Sequence, residues 1–361
     1  MNKKLKTFLT NLGKPIFAII VSLFIGALLI IPTGTSPIEA YMILFKGAFG
    51  SWQGFSTSLA KATPLLFTGL AAAYSFRAGV FNIGIEGQLY FGAIASALTG
   101  VYFGNLPPAV LIPICMIAAM VIGMAWAFIP AILNVKLNIS IFITCIMLNN
   151  IAQLFSNYLA TYPFKGELAI GATYKISEGA MLPKLAGAMN DLNFGFIIAI
   201  ILSIILYILL FKTKFGYESR AAGISRTFSR YIGIDATKKT IIIVMISGAI
   251  AGLAGAEQVM GVNYRYISDF SPGLGYTGIT VALLARNNPL ACILTAIFFG
   301  ALTNGAIQME VMTNISRDLI SSVQAVMIVF IAADFAFDYF KKKKKADKNK
   351  TVGSKKEGKL C

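Results

Sequence analysis

The chain has 361 residues, of which 57% are hydrophobic and only 13% charged, with a mean hydropathy of +0.74. A soluble domain carries about a quarter charged residues, so this composition belongs to a bilayer protein. Histidine is absent, which removes Ser-His-Asp and Cys-His nucleophiles, HExxH zinc sites and histidine-ligated haem; no cofactor and no metal is implied.

A membrane-crossing helix takes about 20 mostly apolar residues. Windows of that kind fall near residues 15–32, 61–78, 84–103, 107–133, 138–160, 193–211, 240–261, 273–288, 289–311 and 318–339. They predict an all-α polytopic membrane protein of about ten transmembrane helices, with residues 1–14 as a short N-terminus, 15–339 as the membrane domain and 340–361 as a tail. The first window reads as a retained helix, because the run is long and no clean small-residue cleavage site follows it. The stretches Gly79 to Gly87 and Gly273 to Gly278 are apolar but glycine-rich, and read equally as loops or as broken helices.

Short Lys- and Arg-rich loops stay in the cytoplasm. Three segments are of this type: Lys3, Lys4, Lys6 and Lys14; the connection 212–239 with Lys212, Lys214, Arg220, Arg226, Arg230, Lys238 and Lys239; and a tail opening on Lys341 to Lys345. All three are expected inside, which an even number of crossings allows. The connection 161–193, with three lysines and three acids, is expected outside. Orientation accounts for most of the net charge of +16, so nucleic acid is not an expected partner, and the almost fully polar tail should be disordered and drawn to anionic lipid headgroups.

Two stretches echo one another. "GVFNIGIEGQ" (Gly79 to Gln88) and "GLGYTGITVA" (Gly273 to Ala282) each place a glycine, four residues and then Gly-Ile, at Gly79 and Gly84 and at Gly273 and Gly278. With the helices before them running in opposite directions, the chain would consist of two inverted four-helix halves, the plan on which many transporters build a midplane site. Chance and ordinary glycine-mediated helix packing would give the same letters.

Ionisable and amide groups within an apolar span each ask for a reason. Asn82, Glu86 and Gln88 lie together; on a helix Asn82 and Glu86 would share a face and either bond one another or line a cavity. Alternatively Glu86 pairs with Arg77 at a membrane-edge turn. Glu257 with Gln258, Gln308 with Glu310, and Asn149, Asn150 and Gln153 read as interface residues. Phe76, Phe81, Tyr90 and Tyr276 flank the glycine-rich stretches, where a ring is able to stack on a flat ligand, although core packing serves any one of them equally well.

The basic connection 212–239 reads as a short helix, Glu218 to Ile224, and a second around Arg226 to Tyr231, broken at Gly216, Gly223 and Gly233. Glu218 then sits in a first turn, where a carboxylate suits the helix dipole. Ala221, Ala222, Phe228 and Ile232 would anchor such a helix in a partner's groove; composition is equally consistent with a headgroup-bound interfacial helix. Of the four cysteines, Cys115, Cys145 and Cys292 lie in apolar runs as small packing residues, and Cys361, without a CaaX order, receives no role. No GxxxxGK[ST] phosphate loop occurs, so the chain does not itself bind nucleoside triphosphate in that manner.

Four blocks, "TPLLFTGLAAAYSFRAGVFNIGIEGQLYFGAIAS" (Thr63 to Ser96), "TKFGYESRAAG" with "YIGI" (Thr213 to Ile234), "SGAIAGLAGAEQVMG" (Ser247 to Gly261) and "FSPGLGYTGITVALLARNNPLACILTAIFFGALTNG" (Phe270 to Gly305), resemble the nucleoside and simple-sugar branch of bacterial ATP-binding cassette importer permeases. The resemblance covers roughly 60–335 and is closest to the larger permease of a pair. It implies translocation of nucleosides or related ribosyl or simple-sugar solutes across the cytoplasmic membrane, a cassette ATPase that hydrolyses ATP on another chain, a homologous second permease in a heterodimer, and an extracytoplasmic substrate-binding lipoprotein. It further implies that 212–239 is the ATPase-coupling element, carried at Gly216, Glu218, Arg220, Ala221, Gly223 and Gly233, and that Asn82, Glu86, Gln88, Phe76, Phe81 and Tyr276 border the substrate path. Phe228 and Ser229 depart from the family pattern, where two alanines are commoner. An ion-coupled secondary transporter of a small polar solute is the alternative reading.

Overall fold

The computed structural model describes residues 20–187, 190–313, 315–316, 318–319, 321–323 and 325–326. The expected N-terminal segment 1–14, most of the window 318–339, the tail 340–361 and Cys361 lie outside the described residues. Within them the helices are α1 (Ile20–Ile30), α2 (Pro37–Phe49), α3 (Trp52–Arg77), α4 (Ile85–Tyr102), α5 (Pro108–Leu137), α6 (Ile141–Thr161), α7 (Gly195–Lys212), α8 (Lys214–Ile224), α9 (Arg226–Tyr231), α10 (Ala236–Glu257), α11 (Leu274–Leu284) and α12 (Pro289–Met312). Among the described residues the extended pairings are two isolated bridges, Ala172 with Ile267 and Lys184 with Asn193. The fold is an all-α membrane protein.

The chain divides into two units, Leu44–Gln308 and the flanking Met1–Ile43 with Met309–Cys361. In the flanking unit the Tyr41 hydroxyl donates to Leu23 O at 2.6 Å. The larger unit holds everything that follows.

Among the described residues four helices are long and apolar enough to cross a bilayer alone: α5, α7, α12 and α10 with its continuation to Asn263. That continuation is a π-helix, Gln258–Asn263, ending at Tyr264 in the left-handed region (φ 55°). α3 is longer than its apolar window, starting at Trp52, where the Ser51 hydroxyl accepts from Gly54 N at 3.0 Å and caps the helix. From Ala62 to Phe76 every residue of α3 is buried, so this stretch of the helix is enclosed by protein on all sides.

The expected crossing at 273–288 is corrected. α11 has 11 residues, about 16 Å of helix against about 30 Å of hydrocarbon. Gly273 (φ 90°) starts it and Arg286 and Asn287, both with φ above 50°, follow its end, so it is a half-helix. α2 was not anticipated, because Glu39 and Lys46 spoil any long apolar window.

Helix α10 is the hub, packing on α3, α4 and α5. Gly92 of α4 meets the backbone of Gly252, and Gly252 meets Ala119 O and Gly123 of α5, so a Cβ at either glycine would strike main chain. Such small-residue contacts let backbones approach where no hydrophobic force drives helices together. α12 reaches α3 in the same way, with Gly300 against Ser58 O and Ala62.

The packing has the exchange pattern of a repeat: α3 lies on α11 as α10 lies on α4. The glycine echo, however, is offset. Gly84 and Gly273 both stand at the N-cap, of α4 and α11, whereas Gly79 is the left-handed residue after α3 and Gly278 lies inside α11 against Thr68. The structural equivalence is Gly84 with Gly273, five residues from the register that the letters suggest.

Candidate functional site

The first turns of α4 and α11 meet in the interior. The connection to α4 leaves the α8 end of the bundle, where Gly79 lies against Gly223. That to α11 leaves the opposite end, where Tyr264 O and Tyr266 O accept from Ile176 N and Thr173 N of the 162–194 connection. Glu86, 5% exposed, crosses this junction. Its Oε1 accepts from the Ser271 hydroxyl at 2.6 Å and its Oε2 from Gly275 N at 2.5 Å. A carboxylate at the N-terminal turns of two helices faces both positive dipole ends, and among the described residues no cation pairs with it.

Beside it, Asn82 Nδ2 donates to Gln88 Oε1 (3.1 Å) and to Ser247 Oγ (2.9 Å), and Asn82 Oδ1 accepts from Gly84 N (3.0 Å) and Gln88 Nε2 (3.2 Å). Ser247 passes the chain on to Ala71 O at 2.8 Å. On α6, Asn149 completes the junction: its Oδ1 accepts from Gly87 N at 3.0 Å, and its Nδ2 donates to Ile83 O and to the Tyr276 hydroxyl, each at 3.0 Å.

Several expectations change here. Asn82 precedes α4, so it does not share a helical face with Glu86, and the two make separate networks. Arg77 does not pair with Glu86; its guanidinium lies 5.3 Å from the centroid of Phe211, which Arg220 also approaches at 5.2 Å. Asn82, Glu86 and Gln88 are buried and satisfied within the protein, so in this conformation they hold the helices and present no free group to a path. Phe76 is buried and stacks on Phe81 at 4.3 Å. Of the six expected path residues, Phe81 (54% exposed) and Tyr276 (44%) reach the surface. Tyr90 is buried, with its hydroxyl donating to Ser271 O at 3.0 Å.

Sequence reading missed Ser247, Ser271 and Asp269. The two serines carry no signal, since serine is common in membrane helices, and Asp269 stood outside every window. Asn149, read only as an interface residue, was the available clue.

On the α8 side, the helix begins at Lys214, capped by Thr213, whose hydroxyl accepts from Gly216 N at 3.2 Å. Gly216 is therefore inside α8, against Leu209 O and Leu210, and is not a break. Glu218 is one turn further in than expected. Gly233 (φ 77°) does end the segment after α9. Gly223 meets Ala78 O and Gly79. Ala222 is buried, but Phe228 (57%) and Ile232 (47%) stand exposed with Tyr231.

Glu218 is tied to Lys239 of α10 at 2.6 Å and to Lys214 at 3.9 Å. The Lys239 ammonium holds the Glu218 carboxyl below the usual carboxylate range, chiefly by its hydrogen bond. A carboxyl lowered on folding contributes stability above its unfolded pKa of about 4.3, and that contribution is lost as pH falls through the lower folded value. Amide exchange in α8, corrected for intrinsic rate, is thus expected to match at pH 7 and pH 5.5 and to quicken in stronger acid. Lys239→Met should quicken it at pH 7 and pH 5.5 and make no difference in stronger acid, where wild type has already lost the tether; unchanged exchange in that variant at pH 7 would contradict the tether.

Residues 54–332 match the family model described as the branched-chain amino acid transport system / permease component. The chain belongs to that family. The permease is 34% identical over 336 residues to the guanosine ABC transporter permease protein NupP of Bacillus subtilis, covering 92% of this chain and 96% of the relative. It is 34% identical to the nucleoside ABC transporter permease protein NupB of Lactococcus lactis subsp. cremoris over 99% of both chains. Identity to the glucose ABC transporter permease protein TsgB13 of Haloferax volcanii is 31%, covering 91% and 88%. The permease is accordingly a multi-pass membrane subunit of an ATP-binding cassette transporter, and the ion-coupled reading is set aside.

Proposed function

We propose that the permease is the larger of two related permease chains in a bacterial importer that carries nucleosides across the cytoplasmic membrane. An extracytoplasmic lipoprotein delivers the solute, and a separate cassette ATPase hydrolyses ATP. Both termini and α8–α9 face the cytoplasm, in keeping with their lysines and arginines. Nucleosides are favoured over simple sugars because relatives at 34% identity include a guanosine and a nucleoside permease, against 31% for a glucose permease.

The observation that carries the reading is the seat of α8. This basic helix rests through Gly223 on Gly79, six residues before the first turn of α4. A partner pushing on α8 would act directly on the connection that leads to the Glu86 junction, while exposed Phe228, Tyr231 and Ile232 offer apolar anchors on the same element.

The test is uptake of labelled guanosine by the permease reconstituted with its neighbouring ATPase, second permease and receptor. Gly223→Leu and Arg220→Glu are each expected to cut uptake about tenfold or more while ATP hydrolysis continues, since a displacement of 1 Å can cost a hundredfold in a positioned step. Full uptake in both variants would contradict the coupling role, and uptake by this chain alone would contradict the need for partners.

A further inference from the structure

We infer that the Asp269 carboxylate, mounted on an amide stripe of α6, forms a recognition site for a vicinal diol at the mouth of the path, at the end that carries the 162–194 connection. This inference rests on the nucleoside reading above.

Asn149, Gln153 and Asn157 recur at intervals of four along α6 and so share one face. A face turned to lipid has no use for three amides, and each is costly there. Gln153 Nε2 and Asn157 Nδ2 both donate to Asp269 Oδ1, at 2.7 and 2.9 Å. Asp269 N donates back to Asn157 Oδ1 at 3.3 Å, and the Tyr266 hydroxyl donates to the same oxygen at 2.8 Å. The loop is held so firmly that Asp269 adopts φ 56°, a region that residues other than glycine seldom occupy.

This clamp orients the carboxylate without neutralising it. Among the described residues no lysine or arginine lies within ion-pair distance of Asp269, and Oδ2 has no hydrogen-bond partner. Gln153 and Asn157 stand eight and four residues before the end of α6 at Thr161, so the group sits about 6–12 Å inside that end. An exposed, uncompensated carboxylate at such depth belongs beside water, not acyl chains.

The chemistry narrows the ligand. A carboxylate only accepts hydrogen bonds, so a neutral solute must bring donors; with Oδ1 taken by Gln153 and Asn157, two adjacent hydroxyls are able to fill the two lone-pair sites of Oδ2. The 2′- and 3′-hydroxyls of a ribonucleoside are such a pair. Tyr276, 44% exposed, is tethered to α6 by Asn149, one turn from Gln153. Its ring supplies a flat apolar surface about 6 Å further along α6, where a base attached to the ribose would rest.

The test compares uptake of a ribonucleoside, its 2′-deoxy form and its 2′,3′-dideoxy form by the complete transporter, with wild type and with Asp269→Ala. The receptor's own preference is common to both and cancels in the ratio. Wild type should favour the diol over the dideoxy form by about tenfold or more beyond Asp269→Ala, the scale of a charge-assisted hydrogen bond. Asp269→Asn, which retains an acceptor for Gln153 and Asn157, should keep the loop and give an intermediate preference. The same ribo-to-dideoxy ratio in wild type and Asp269→Ala, or an equal fall for all three solutes, overturns the site. If the wild-type complex takes up none of the three, the nucleoside reading fails first and the inference falls with it.

Discussion

Leucine in place of Gly252 is expected to leave no permease that survives extraction in detergent. At this point three backbones converge: Gly92 of α4 rests on the Gly252 main chain, and Ala119 O and Gly123 of α5 close the other side. Overpacking a core usually costs about 1–3 kcal/mol because neighbouring side chains can rotate away. Here the obstacle is carbonyl and Cα, so relief requires moving α4 and α5 bodily off α10, and with them the contacts that make α10 the hub. Gly252→Ala should show a graded version, a lowered melting temperature with protein still recoverable. Ile208→Leu, on the exposed side of α7 (48%), should change nothing. Monodisperse Gly252→Leu protein melting within 2 °C of wild type, the scale of roughly 1.5 kcal/mol in a chain this size, would refute this account of the packing.

Removing the Glu86 carboxylate should produce the second largest effect. In Glu86→Ala the Ser271 hydroxyl and Gly275 N lose a buried anionic acceptor, and hydrogen bonds to charged groups contribute about 1.5–3 kcal/mol each. The two helix ends also lose the anion that faces their dipoles. A loss of at least about 3 kcal/mol follows, or roughly 4 °C in melting temperature for a chain of this length. Glu86→Gln retains one acceptor oxygen and should fall by less than half as much. Equal melting of Glu86→Ala and wild type would show that the junction is held by packing alone. Because α8 bears on the connection that leads to this junction, the alanine variant is also expected to hydrolyse ATP in the assembled transporter without moving solute.

Much of the architecture could be read from apolar length. The windows at 84–103, 107–133, 138–160 and 193–211 reappear nearly unchanged as α4, α5, α6 and α7, since a run of about 20 apolar residues has few options other than a helix in lipid. What hydropathy could not report is where a helix stops inside the protein. α11 is as apolar as its neighbours, and only the left-handed residues at its two ends shorten it. Similarly, Asn82, Glu86 and Gln88 were recognisable as polar residues with a purpose, but letters do not say whether an amide faces a ligand or another amide. Their partners, Ser247, Ser271 and Gly275, are contributed from far along the chain, at separations of 165 residues and more. The α8–α9 segment was visible from its charge and glycines, while its tether at Lys239 depended on how α10 begins.

The meeting of the two first turns has one more implication, concerning symmetry. Glu86 and Gly275 occupy the same position, second after the N-cap, in α4 and α11, and they touch. Two glutamates meeting there would set like charges against each other, and two glycines would leave both dipoles bare. A single carboxylate shared between the ends is the arrangement that satisfies both, so the two helix starts must differ at this position.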